Sequence, residues 1–115
     1  MQLFPKTLRL RNSHEFKRVF DARIAFADEL LIVFVLPNDL QVSRLGLSVS
    51  RKVGNAVIRN HWKRLIREAF RKNYELFQRC LDIVVLPQRN AKITDGQKIE
   101  ISFKKLIARA IKRIE

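Results

Sequence analysis

The chain is poor in most of the residue types that build protein active sites. Its 115 residues include one cysteine, two histidines, three glycines and three prolines. A lone thiol, Cys80, excludes an internal disulfide and fits a reducing, cytoplasmic setting. That thiol and two distant imidazoles, His14 and His61, fall short of the three or four spaced ligands a metal site needs. His14 is expected to be a solvated residue of a first helical turn. No glycine-rich phosphate loop is present, and Gly54-Asn55 reads as the backbone freedom needed to leave a strand and enter a helix. Acidic residues are scarce, 11 against 24 Lys and Arg. Asp21, Asp28, Glu29, Asp39 and Asp82 are scattered, which argues against a self-sufficient metal nuclease. The longest apolar run, Leu30 to Leu36, is too short to span a bilayer. Met1 to Lys6 lacks the apolar stretch of a secretory signal, so no export is expected.

What the chain does have is apolar content and positive charge. Apolar residues make up 47%, enough for the core of one domain spanning 1–115. The formal charge of +13 opposes compaction and favours a polyanionic partner. The charge is concentrated in Arg51 to Lys72, which holds eight Lys and Arg against a single Glu. Within it Ile58, Trp62, Leu65, Ile66, Ala69 and Phe70 fall on one side of a helix expected over about Ala56 to Lys72. Arg59, Lys63, Arg67 and Arg71 form an i+4 row on the opposite side. An ordinary solvated face mixes signs; this one does not, which favours contact with nucleic acid. Membrane-surface binding fits less well, because the core needs the helix's apolar side.

The remaining pattern predicts helix, two or three strands, helix, strand, helix. Leu3 to Arg11 reads as an extended basic arm. A first helix is expected from Ser13 to about Ala22, capped by Asn12 or Ser13, with Glu15 in its first turn. Phe16, Val19 and Phe20 share one face. Arg23 to Ala27 reads as a weak strand and Leu30 to Leu36 as a central one. Leu45 to Val49 alternates apolar and small residues, so Gly46 and Ser48 leave room for a close approach on one face. Ile83 to Leu86 is a short strand. Thr94 with Gln97 suggests a capping box opening a last helix, whose stripe runs from Ile99 through Phe103, Leu106, Ile107, Ala110 and Ile111 to Ile114. Three amphipathic helices on a small, mostly antiparallel sheet imply an α+β two-layer sandwich. On pattern alone Phe16, Phe20 and Phe34 read as core, as does Trp62, although a cleft floor for stacking unpaired bases is the alternative for the three phenylalanines.

Lys52, Gly54, Ala56, Val57, Arg59, Asn60, Lys63, Arg64, Arg67 and Glu68 occupy the positions of a basic signature, Lys-x-Gly-x-Ala-Val-x-Arg-Asn-Arg-x-Lys-Arg-x-x-Arg-Glu. By this motif, and by Arg9-Leu10, Phe16, Val19-Phe20 and Leu45 to Ser50, the chain resembles the protein subunits of bacterial ribonuclease P. His61 stands where that family usually has Arg. The resemblance implies a ribosomal-protein-like α+β fold with a left-handed βαβ crossover at the motif. It implies a catalytic RNA partner that uses Mg²⁺ to cleave precursor tRNA at its 5′ end, with the protein holding the unpaired leader and carrying no catalytic groups. Arg51, Lys52, Asn55, Arg59, Asn60, His61, Arg64, Arg67 and Arg71 would then face the RNA subunit. Phe16, Phe20, Phe34, Ser48 and Lys63 would line the leader cleft, reversing the core reading of the phenylalanines. The free protein is expected to be a monomer that binds no metal stably by itself. A ribosomal or RNA-chaperone-type module without a role in cleavage is the competing expectation.

Overall fold

The computed structural model describes residues 8–77 and 79–115. The first residues of the expected arm, 3–7, lie outside them. Helix α1 covers Ser13–Asp21, strands β1, β2 and β3 cover Ala25–Ala27, Leu31–Pro37 and Arg44–Leu47, and helix α2 covers Ala56–Asn73. Strand β4, Leu81–Pro87, and helix α3, Gly96–Ile114, complete the chain.

Local chemistry explains where the helices start. The Asn12 side chain accepts from the Glu15 amide at 3.1 Å, while the Glu15 carboxylate accepts from the Asn12 amide at 3.3 Å. This reciprocal box satisfies two donors that the first turn cannot pair internally. Asn55 caps α2 by accepting from Ile58 N at 3.0 Å. The expected cap of α3 is corrected by one position: Asp95, not Thr94, accepts from Lys98 N at 2.9 Å. Both residues can cap, but a carboxylate also meets the positive end of the helix dipole.

The sheet runs β1-β2-β4-β3. β1–β2 and β2–β4 are antiparallel, whereas β3 and β4 are parallel and are joined through α2. β3 is shorter than expected, ending at Leu47. Its pairing still continues for one bond, from Ser48 N to Val85 O at 3.1 Å. On its outer edge it is bridged by Arg9, and Leu10 N donates to Leu45 O at 3.0 Å.

Alternation along the strands separates two apolar clusters. Leu31, Val33 and Val35 of β2 and Leu81, Ile83 and Val85 of β4 pack with Trp62, Ile66 and Phe70 of α2 and Ile99, Phe103 and Leu106 of α3. Trp62 is fully buried there, as expected for a core residue. The alternate residues face the other way. Val84, with Phe34, Leu36 and Leu86 against it, packs on Leu10 and Val19 and on Phe16 and Phe20. The expected two-layer packing thus describes the sheet with α2 and α3, and α1 adds a helix on the opposite face.

An ionic junction holds α1 to that face. Arg44 makes a fork to Asp82, through Nε at 2.9 Å and Nη2 at 2.8 Å, and its Nη1 donates to Glu15 at 2.8 Å. Asn38 Nδ2 adds a donor to the same Asp82 carboxylate at 2.8 Å. The Asp82 side chain is only 5% exposed, so these donors replace the water it loses on folding.

Candidate RNA interface

The register of the sheet sets out the site. Gly46, Val84 and Phe34 stand in one row across β3, β4 and β2, on the face that carries α1. Helix α1 lays its aromatic side on this row. A Cβ on Gly46 would lie 2.8 Å from Phe16 Cζ and 3.1 Å from Leu10 Cδ1, so the close approach foreseen at this glycine is made by the Phe16 ring. Phe20 stands edge-on to Phe34 with ring centroids 4.8 Å apart, and Phe16 lies 6.5 Å from Phe20. All three rings keep partial exposure. They pack as core residues do on one side and keep solvent access on the other. Ser48, also partly exposed, follows Gly46 on the same face of β3.

Beside this aromatic floor a cleft of about 230 Å³ opens between α1, the edge of β3 and α2. Its walls are Arg9, Leu10, Arg11, Phe16, Leu45, Leu47, Lys63 and Arg67. Four cationic side chains therefore meet over one phenylalanine. Burial lowers the pKa of the Arg67 guanidinium, and the positive charge of Arg9 lowers it further. No carboxylate pairs with Arg67 or Lys63 among the described residues. Like charges held together at partial burial are relieved by an anion, and a phosphate meets the guanidinium fork in two places.

The rest of the basic helix is divided by function. Arg59 Nη1 donates back to Gly54 O at 3.3 Å, steadying the loop before α2. That loop turns at Gly54 with φ 157°, where a Cβ would fall 2.9 Å from Ile58 Cγ2, so only glycine fits. Arg71 is paired with Glu68 at 2.9 Å, and this bond holds the Glu68 carboxyl below its ordinary range. Arg51, Lys52, Asn60 and Arg64 are exposed, and His61 is half-buried. Asn55 is exposed with its side-chain oxygen committed to the cap.

Of the residues expected to line a leader cleft, the structure brings Phe16 and Lys63 into one cleft and joins Phe20 and Phe34 to it as a continuous aromatic row. Arg67, expected on the RNA-subunit side, lies in that cleft too. Arg9 and Arg11 line the cleft as well, although the sequence reading placed neither of them among the site residues. The basic arm is visible in the sequence, but nothing there tells which of its charges return to α2. Among the described residues no group of three or more His, Cys, Asp or Glu is placed to hold a metal ion. No helix there is long and apolar enough to cross a membrane.

Comparison with known proteins gives one consistent result. Residues 4–111 match the family model described as Ribonuclease P. The chain is 42% identical over 83 residues to a ribonuclease P protein component from Lachnoclostridium phytofermentans, covering 72% of each protein. It is 36% identical over 107 residues to the one from Clostridioides difficile, covering 92% of this chain and 94% of that protein. Among solved structures, the ribonuclease P protein of Staphylococcus aureus superposes with a TM-score of 0.80 at 33% identity, covering 91% of this chain and 96% of that one. The Thermotoga maritima protein, solved with 1-(4-fluorophenyl)-2-thiourea, superposes with a TM-score of 0.81 at 33% identity, covering 88% of this chain and 98% of that one.

Proposed function

The chain belongs to the bacterial ribonuclease P protein family, and on that premise we propose that it binds the catalytic RNA and the 5′ leader of precursor tRNA to promote endonucleolytic maturation of the tRNA 5′ end. The observation that carries this reading is the cationic cleft over an aromatic floor, with Arg67 beside Arg9 and Lys63 and Phe16 in the same walls. A backbone threading the cleft is neutralised by the arginines, while unpaired bases stack on Phe16, Phe20 and Phe34. Arg59, Asn60, His61, Arg64 and Arg71 of α2, with Arg51, Lys52 and the capping Asn55 in the segment just before it, are offered to the RNA subunit.

The hydrolytic step is assigned to the RNA, where bound Mg²⁺ would supply the activation of water. The protein's contribution is positional: it neutralises phosphates where two RNAs meet and fixes the leader relative to the scissile bond. Reconstitution with a bacterial ribonuclease P RNA, scoring precursor-tRNA cleavage at low Mg²⁺ with and without the protein, tests it. Stimulated cleavage is expected. In the same assay Phe20→Ala should leave the protein folded and weaken binding of precursor but not mature tRNA. Equal binding of the two tRNAs by the native protein would instead favour an RNA-binding module with no part in cleavage.

A further inference from the structure

We propose that the solvent face of α3 is a second polyanion-binding surface, which lets the protein hold a duplex RNA segment there while its α1–α2 side holds another. This goes beyond the role in cleavage and rests on that reading only for RNA binding by the α2 side. Lys98, Lys105, Arg109, Lys112 and Arg113 are all exposed. At 3.6 residues per turn they fall within an arc of about 100°. The stripe runs about 22 Å along the axis, a length over which a duplex presents many phosphates.

The stripe is not balanced as a solvated face would be. Glu100 is the one acid within α3, and it turns inward to accept from Asn73 Nδ2 at 3.0 Å. Lys105, Arg109 and Arg113 follow at i+4 spacing, where like charges destabilise a helix. Among the described residues only the ends of this row find partners: Lys105 pairs with Asp28 at 3.1 Å, and Arg113 lies 6.0 Å above the Phe26 ring. Lys98, Arg109 and Lys112 have no ion-pair partner among the described residues. The helix cannot turn its apolar side to a membrane, because Ile99, Phe103, Leu106 and Ala110 are fully buried in the core.

The two cationic faces lie on opposite flanks. Asp28 and Phe26, which the α3 stripe touches, belong to the β1 end of the sheet, whereas the cleft lies along β3 at the other end. In a molecule measuring 36 × 28 × 27 Å, two RNA segments can approach without sharing contacts.

The test is a bridging assay with the full chain and two short RNA duplexes of arbitrary sequence, one carrying a donor dye and the other an acceptor. The native protein should bring the dyes together. The triple variant Lys98→Gln, Arg109→Gln, Lys112→Gln should bind a single duplex yet lose bridging. Its total salt slope should flatten by up to about 2.7, from three contacts at about 0.9 each. Unchanged bridging in the triple variant overturns the proposal, as does a native protein that never bridges. Loss of binding to anionic phospholipid vesicles without loss of bridging would also overturn it, by assigning the face to a membrane. Neither duplex contains precursor tRNA, so the proposal can fail while the role in cleavage stands.

Discussion

Replacing Gly46 with alanine tests whether the Phe16 ring is held where the cleft needs it. In an ordinary strand the change would be favourable by about 0.5–1 kcal/mol, because glycine loses more backbone freedom on folding. Here the new methyl carbon would sit 2.8 Å from Phe16 Cζ and 3.0 Å from Cε2, with Leu10 Cδ1 at 3.1 Å on its other side. Overpacking of this kind costs about 1–3 kcal/mol. The clash therefore wins, with a net loss of about 0.5–2 kcal/mol. With a urea slope of about 1–3 kcal/mol/M, the unfolding midpoint should fall by roughly 0.2–2 M. The ring is partly exposed and can escape only by leaving the row it forms with Phe20 and Phe34. Affinity for a single-stranded leader should therefore fall by more than affinity for duplex RNA. The double variant Gly46→Ala, Phe16→Leu removes the ring that collides, so its stability loss should be smaller than the sum of the two single losses. A gain in stability from Gly46→Ala, with leader binding unchanged, would refute the placement of Phe16.

Other consequences follow from the charged groups. Arg44→Ala leaves the Asp82 carboxylate buried without its fork and should lower stability by about 3–5 kcal/mol, read as a large drop in Tm; a loss under about 1 kcal/mol would show that the junction does not anchor α1. Burial alone would raise the pKa of Asp28, but donors from Ser102, Leu31, Leu30 and Lys105 outweigh it and bring the pKa from the ordinary 3.8 to about 2. Because the folded value is depressed, the resulting stability, about 2 kcal/mol, is fully present above about pH 4 and is lost as pH falls toward 2. Asp28→Asn should remove most of that acid-limb dependence in denaturant titrations, and an unchanged limb would count against it. His61→Arg supplies a permanently charged bidentate fork where an imidazole stands, so binding to the RNA subunit should tighten modestly at several salt concentrations; unchanged affinity would argue against contact there. With about six phosphates engaged, affinity for the RNA subunit should fall on the order of a thousandfold between about 50 and 200 mM salt, and a flat response would contradict the electrostatic account.

Among the described residues, periodicity and punctuation in the chain locate the three α-helices and the strands β2, β3 and β4, while β1 reads only as a weak strand. Asn12 with Glu15 marks the start of α1, Pro37 marks the end of the central strand, and the stripe from Ile99 to Ile114 marks α3 as a core helix. The single-sign face of Arg59, Arg64 and Arg67 likewise points to a polyanionic partner, since a merely solvated face would mix its charges. The choice between Thr94 and Asp95 lies beyond such signals, since both are good caps and neighbouring packing decides the first turn.

What the linear pattern could not decide was which surfaces meet. An amphipathic stripe says that a face must be covered, not by what, so the placement of α1 opposite α2 and α3 had to come from tertiary packing. The same holds for Phe16 against Gly46, which are distant in the chain yet touch across the sheet, and for Arg9 beside Arg67. Composition and spacing determined that this protein is cationic, has apolar residues enough for a core, and favours a polyanionic partner. Only the fold concentrated the charge of four side chains over an aromatic floor, because electrostatic strength depends on distances that sequence separation does not encode.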